Sequence, residues 1–312
     1  MPADPQIQPP PSRTSRQVQR PPRWFPWTSL MLVTGLFLGI YAFLEAPREV
    51  GRWHMAAARE FWRNAEYGEI QGNLSQVAEN RQKALAKLED ALKWSPEEPT
   101  FILQRVEWRT DAAQYDEALR DCNHLIEKLG EEGGLLQERA TILHLLGRHA
   151  EAVADAQRID NLSKTSGMPS RANALNGLAY AKAIGKIDLE SALKEVNEAL
   201  TSQRNAAYLD TRGFIYYQMG KYELALKDFD PAANEIADRL KIRDAKSGLE
   251  GRTNPDIRKY EIDTRKLNKM MIAPIFYHRA LAHEKLGHAA AAAADRKRVR
   301  ELIGREGDEK LF

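Results

Sequence analysis

The spacing of apolar residues divides the chain into three parts. From about residue 53 onward, apolar residues recur three and four positions apart, which predicts amphipathic helices rather than strands. Residues 24–44 contain no charged side chain. Residues 1–23 hold prolines, glutamines, serines and arginines with very few apolar residues, so little there offsets the entropy of ordering the chain. The pattern predicts a disordered tail over 1–23, then an apolar helix, then a long helical region.

The uncharged run from Trp24 to Leu44 has the length and composition of a membrane-spanning helix. About twenty residues rising about 1.5 Å each match a hydrocarbon core of about 30 Å. Aromatic side chains stand near both ends, as in an interfacial belt: Trp24, Phe25, Trp27 and Tyr41. A buried core helix and a cleaved signal peptide are the alternatives, but the residues after Phe43 are poor for cleavage. We predict an uncleaved transmembrane helix over 24–45 and a juxtamembrane helical region over 46–79.

The charges that flank this segment predict its orientation. Four arginines precede it against one acidic residue, and only two basic residues follow it closely: Arg13, Arg16, Arg20 and Arg23 against Asp4, then Arg48 and Arg52. The positive-inside rule therefore places the N-terminus in the cytoplasm and the C-terminal region outside it, in the periplasm if the organism is a bacterium.

A glycine pair inside the apolar segment indicates a possible dimer. Gly35 and Gly39 are four residues apart, a spacing that lets two membrane helices approach closely. Glycine is common in membrane helices in any case, so the motif also fits an unpaired anchor.

A short pattern recurs along the helical region. Residues 221–226 resemble residues 114–119 and 148–153, with looser copies at 187–193 and 288–293. The small residue shared by the copies steps by 34, 40, 33 and 67 positions, at Ala118, Ala152, Ala192, Ala225 and Ala292. Such a near-constant period predicts a stack of structural repeats.

The best copy spans residues 206–240 and shows a helix–turn–helix signature at Gly213, Tyr216, Gly220, Tyr222, Ala225, Phe229 and Ala232. Together with the near-constant period, this signature resembles the tetratricopeptide repeat family. The resemblance implies an all-α fold, an α-solenoid of helix–turn–helix pairs over residues 80–304, in which each pair covers the apolar face of its neighbour. Residues 305–312 are expected to form a short tail.

The repeats depart from the family pattern in three places. The first pair lacks a clear first helix unless residues 56–66 supply one. Pro231 lies inside the second helix of the best copy and should bend or restart it. Residues 236–271 lack the signature and predict a helical extension, with ten basic and five acidic residues between Arg239 and Lys269. That extension is either a solvated surface or a basic surface for an acidic partner or anionic lipid.

Composition excludes several classes of function. The 312 residues include 46 basic and 44 acidic side chains, a net charge of +2, which argues against a nucleic-acid-binding protein. The single cysteine excludes an intramolecular disulfide and a multi-cysteine metal site. Cys122 follows Ala118 by four residues and is predicted to be a small packed side chain.

Motifs for catalysis or metal binding are weak. His283 and His288 are five residues apart, roughly 140° around a helix, whereas a zinc-binding helix needs histidines four apart. His144 and His149 have the same spacing across Gly147. Gly185-Lys186 lacks the rest of a phosphate-binding loop. We predict no catalytic residue, no metal ligand and no cofactor, and therefore not an enzyme.

Because motifs for catalysis and metal binding are weak, we expect the repeats to bind a partner. By resemblance, the first helices of the pairs line a concave groove, whose candidate residues are Leu103, Glu107, Gln137, Thr141, Phe214, Tyr217 and Tyr277. Ordinary surface or packing between repeats is the alternative for each residue. The resemblance implies a membrane-anchored adaptor for protein partners. A module that binds a small ligand or an envelope polymer through Phe214, Tyr216 and Tyr217 is the alternative, and an enzyme comes third.

Overall fold

The regular structure of this chain is helical wherever the computed structural model describes it, which is over residues 27–165, 171–246, 263–264 and 267–307. Within those residues there are thirteen α-helices and one π-helical turn, and no strand. The helices are α1 Trp27–Leu44, α2 Ala46–Gln71, α3 Leu74–Trp94, α4 Pro99–Asp111, α5 Tyr115–Leu129, α6 Gly133–Leu145, α7 His149–Thr165, α8 Arg171–Gly185, α9 Leu189–Ser202, α10 Ala206–Gln218, α11 Tyr222–Lys246, α12 Ala273–Lys285 and α13 Ala289–Ile303, with the π-helical turn at Asn268–Ile272. The predicted tail over 1–23, and residues 24–26 and 308–312, lie outside the described residues.

The first of two structural units covers residues 1–49, and its described part is mainly α1. The large apolar side chains of α1 are exposed on all sides, from 45% for Ile40 to 81% for Phe43. Among the described residues, no single helix has both the length and the apolar character that crossing a bilayer requires, although the bent pair Leu30–Phe43 and Ala46–Gln71 has them together. The transmembrane helix over 24–45 stays a prediction.

The second unit covers residues 50–312 and consists of helix–turn–helix pairs. The pairs are α2 with α3, α4 with α5, α6 with α7, α8 with α9, α10 with α11, and α12 with α13. Each second helix packs on the first helix of the next pair, so that α3 contacts α4, α5 contacts α6, and so on to α11 and α12. Trp62 of α2 stacks on Trp108 of α4, with ring centroids 4.7 Å apart, which joins the first two pairs. This arrangement confirms the predicted all-α repeat fold.

The small residues that defined the repeat lie where two helices meet. Ala118, Ala152, Ala192 and Ala225 are fully buried, and Ala292 is 4% exposed. In the best copy, a Cβ added at Gly213 would lie 2.6 Å from the Phe229 ring, so only glycine lets α10 and α11 pack at this distance. Close packing therefore explains both the small residue and the aromatic residue of the signature.

The turns inside the pairs use a left-handed residue to reverse the chain. Gly147, Gly220 and Gly287 have φ near +75°, where glycine carries no steric penalty. In the α4–α5 and α8–α9 turns, Ala113 and Lys186 adopt this left-handed conformation.

The structure shows what happens at two of the three places where the sequence departs from the repeat pattern. Helix α2 spans Ala46–Gln71 and supplies the missing first helix. Helix α11 continues through Pro231, so the predicted restart is wrong. The buried residues Ala232, Ala233 and Ile236 pack with α12, and this contact holds the helix together across the missing N–H. Of the extension over 236–271, residues 247–262 and 265–266 lie outside the described residues.

Candidate functional site

The first helices of the pairs form one side of the second unit, which we call the inner face and define by α4, α6, α8, α10 and α12. Helix α6 contacts α8, α8 contacts α10, and α10 contacts α12. Contacts between consecutive second helices are less extensive. In a stack of helix pairs, the helices that approach each other more closely lie on the concave side.

All seven predicted groove residues lie on these first helices. Glu107, Gln137 and Thr141 are exposed, and Leu103 and Tyr217 are half-buried. One repeat period separates Leu103 from Gln137 and Glu107 from Thr141, so each pair occupies equivalent positions in α4 and α6. Gln137 also reaches toward α8, since its Oε1 would lie 4.0 Å from a Cβ added at Gly177. These positions are therefore repeated at equivalent places on the inner face of consecutive pairs.

The other two predicted residues are buried. Phe214 is 9% exposed, and its ring lies between Tyr217 and His278, with centroid distances of 6.2 Å and 4.3 Å. Tyr277 is 5% exposed and is covered by the Arg296 guanidinium, 4.7 Å above its ring. Packing between helices accounts for both side chains.

A buried polar pair lies beside Phe214 and was missed from the sequence. His278 of α12 is 2% exposed, and its Nδ1 lies 3.0 Å and 3.1 Å from the two carboxylate oxygens of Asp210 of α10. Tyr180 of α8 lies nearby, and burial, together with the Asp210 charge, raises the pKa of its hydroxyl. Asp210 and His278 are separated by twice the repeat period, so the sequence alone shows that they occupy equivalent positions in their repeats.

Three carboxylates of α4 and α6 lie close together on the inner face. Burial raises the pKa of the Glu138 carboxyl, and the negative charges of Glu107 and Asp111 raise it further. The three carboxylates therefore repel one another, and a cationic group placed among them would relieve the repulsion.

Arginines on four of the first helices fix the spacing of the pairs. Each arginine donates to an aspartate on the second helix of the same pair, always at the same separation along the chain. These contacts are Arg105 to Asp121, Arg139 to Asp155, Arg212 to Asp228, and Arg279 to Asp295. Each also donates to the second helix of the preceding pair, to Glu89, Asn123, Asn197 and Asp230 respectively. We call these four contacts the arginine bridges. They join three helices at a time and hold the inner face in place.

The pair α8–α9 uses a different contact. Lys182, 8% exposed, donates to Ser191 Oγ at 3.0 Å and to Glu195 at 2.5 Å. Both acceptors of Lys182 therefore lie in its own helix pair, and Lys182 and Glu195 form a structural ion pair.

The two histidine pairs are closer in space than the sequence suggested. Nδ1 of His144 and Nδ1 of His149 are 3.0 Å apart, and those of His283 and His288 are 3.2 Å apart. The angular separation expected around a continuous helix does not apply, because the turns at Gly147 and Gly287 interrupt the helix between the two rings. Burial lowers the pKa of His144 to about 4, and the neighbouring His149 adds to the shift. Among the described residues, no group of three or more His, Cys, Asp or Glu side chains is placed to hold a metal ion.

Cys122 is a packed residue, as predicted. It is fully buried, and its Sγ lies 3.5 Å from the Leu135 carbonyl oxygen. Burial raises the pKa of the thiol to about 12, which keeps it protonated and unreactive.

Comparison with known proteins identifies the fold. No family model matches the chain, and no curated protein matches it in sequence. Among solved structures, the chain is similar to a tetratricopeptide repeat protein from Parabacteroides merdae, at 16% identity and a TM-score of 0.52, over 82% of this chain and all of that one. It is also similar to PilW, a type IV pilus biogenesis factor, at 15% identity and a TM-score of 0.51, over 84% of this chain and 96% of that one. The chain has the tetratricopeptide repeat fold.

Proposed function

We propose that this chain is a non-catalytic scaffold that binds a protein partner across the inner face and is held at a membrane by α1. The observation that carries the proposal is the regular surface on consecutive first helices, where Leu103 and Glu107 of α4 recur as Gln137 and Thr141 of α6. The exposed polar side chains Glu107, Gln137 and Thr141 suit an extended partner that contacts both pairs.

The acidic part of the inner face favours a partner with basic residues. Glu107, Asp111 and Glu138 lie close enough for their charges to interact. A lysine or arginine of the partner would remove that repulsion, and complementary charge also speeds association.

The exposed apolar surface of α1 supports the membrane anchor. Leu32, Leu36 and Phe43 are between 64% and 81% exposed, and burial of such surface is favourable by about 25 cal/mol per Å². A bilayer would cover all sides of α1 at once. A tether raises the local concentration of the scaffold, so modest affinity on the inner face suffices. The flanking arginines favour a cytoplasmic N-terminus, with the repeat domain outside the cytoplasm or in a bacterial periplasm.

The dimer through Gly35 and Gly39 stays a prediction. A methyl group added at either glycine would meet no atom within 4 Å, so this side of α1 is open to another helix.

A matched pair of variants tests the binding surface. Gln137→Arg adds a charged side chain to the inner face, and Gln157→Arg makes the same change at an exposed position on the second helix α7. Proteins that co-purify with the tagged full-length chain from native membranes should be lost with Gln137→Arg and kept with Gln157→Arg. Equal recovery with both variants would contradict binding on the inner face.

Membrane attachment is tested separately. The full-length chain should stay in the membrane fraction after alkaline carbonate extraction, and a chain that lacks residues 24–45 should not. A reporter fused after Phe312 that is active only in the cytoplasm should be silent. Activity of that reporter would reverse the proposed orientation.

A further inference from the structure

A polar cleft lies where α2 ends and α3 begins, away from the candidate groove residues. It has a volume of about 580 Å³, within the range of small-molecule sites. Five carboxamide side chains and one aromatic ring line most of it: Asn64, Gln71, Asn73, Gln76, Asn80 and Tyr67. A carboxamide carries two N–H donors and one carbonyl acceptor, so this lining suits a ligand that also offers donors and acceptors together, such as one with many hydroxyl groups.

The cleft carries no net charge. Its two charged lining residues, Glu79 and Lys83, form an ion pair with each other at 2.5 Å. A phosphate or a polyamine would find no uncompensated opposite charge here. The electrostatics therefore favour a neutral ligand.

The lining also argues against a peptide. A peptide that docks as an amphipathic helix needs an apolar groove, and no aliphatic side chain lines this cleft. The half-buried Tyr67 ring offers one flat apolar surface instead. A saccharide matches this combination, because it presents hydroxyl groups around its edge and a C–H face that packs on an aromatic ring.

The floor of the cleft is already formed. A Cβ added at Gly68 would lie 3.2 Å from Val77 Cγ2 and 3.6 Å from the Asn73 carbonyl oxygen, so α2 and α3 approach closely there. The Asn73 side chain caps α3, because its Oδ1 accepts from the Gln76 backbone N–H and the Ser75 hydroxyl. These contacts fix the backbone that carries the lining side chains before any ligand arrives.

From these observations we infer that the cleft between α2 and α3 binds a neutral saccharide. The site is separate from the protein-binding face, so the two activities can fail independently. A protein held at a membrane could then contact both a partner and a glycan of its surroundings.

One double alanine variant and one control variant test the inference on the full-length chain in detergent. Gln76→Ala with Asn80→Ala removes two amides from the cleft at helical positions, where alanine favours the helix. Gln82→Ala makes the same change on α3 outside the cleft. Asn73 is left unchanged because it caps the helix. Circular dichroism checks that all variants remain folded.

Binding is measured by saturation-transfer NMR with three probes: the N-acetylglucosamine trimer, maltotriose and cellotriose. At least one probe should bind the parent chain and the Gln82→Ala control, and bind the double variant at least about tenfold more weakly. The inference is overturned if none of the three binds at about 10 mM, or if the double variant binds as well as the control.

Discussion

Arg139 and Asp155 meet in a two-point contact between α6 and α7. Nε and Nη2 of Arg139 donate to the two carboxylate oxygens of Asp155, each at 2.7 Å, and Nη1 donates to Asn123 of the preceding pair at 3.1 Å. Asp155 is 1% exposed, so its charge depends on these donors and on Arg158. The same geometry recurs in four pairs, which makes the arginine bridge the polar counterpart of the buried alanine in each repeat.

Arg139→Ala should destabilise the protein by about 3 kcal/mol, because it leaves a buried carboxylate with fewer donors and removes the link to α5. Urea unfolding of the full-length chain, followed by circular dichroism, measures the change. Arg148→Ala is the control, since Arg148 and its partner Glu151 are both about half exposed. That change should cost far less, because solvent screens an exposed ion pair. Equal costs for the two variants would mean that the arginine bridge does not stabilise the fold.

Gly213→Ala should cost about 1–3 kcal/mol, because its methyl group would lie 2.6 Å from the Phe229 ring. Gly134→Ala is the matched control: it lies in α6 with no atom within 4 Å of the added carbon, and should be neutral or stabilising by up to about 1 kcal/mol. Phe229→Leu in the Gly213→Ala background should recover part of the loss. Thermal unfolding compares the variants, and no difference between the two glycine changes would contradict the packing account.

Cys122 should resist iodoacetamide in the native protein at pH 8. Its thiol is fully buried, and with a pKa of about 12 only about one thiol in ten thousand is ionised. In denaturing urea the same residue should react completely, and mass spectrometry counts the adducts. Rapid native modification would place Cys122 at a surface instead of in the core.

His144 should make the protein less stable in mild acid. Its pKa is lowered from 6.5 to about 4 in the folded state, so between these values the unfolded chain binds more protons than the folded chain. The free energy of unfolding should therefore fall as the pH drops from about 6.5 to about 4, by up to about 2 kcal/mol. His144→Gln, which cannot be protonated in this range, should reduce the slope. An NMR titration that places the His144 midpoint near 6.5 would refute this explanation.

Much of the fold follows from the sequence because it depends on a few residue types at a fixed period. Ala118, Ala152 and Ala225 are buried as the repeat period predicts, and Gly147, Gly220 and Gly287 take the same left-handed conformation in three of the turns. Periodicity predicts these features because each has the same neighbours in every pair.

Other features depend on distances that a sequence does not contain. The histidine pairs come together through a turn, and helix α11 passes Pro231 because α12 packs against it. Phe214 was expected in the groove but is covered by His278, which comes from the pair after the extension. The arginine bridges were detectable in principle, since one repeat period separates Arg105 from Arg139 and also Asp121 from Asp155.

The central claim is that a partner binds the inner face of the repeat domain, and site-specific photocrosslinking in native membranes tests it most directly. A photoreactive benzoylphenylalanine would replace Thr141 on α6, which is exposed on the inner face, or Arg120 on α5, which is exposed on a second helix. We predict a discrete crosslinked protein from position 141 and none from position 120. The same product from position 120, or no product from position 141, would contradict the account.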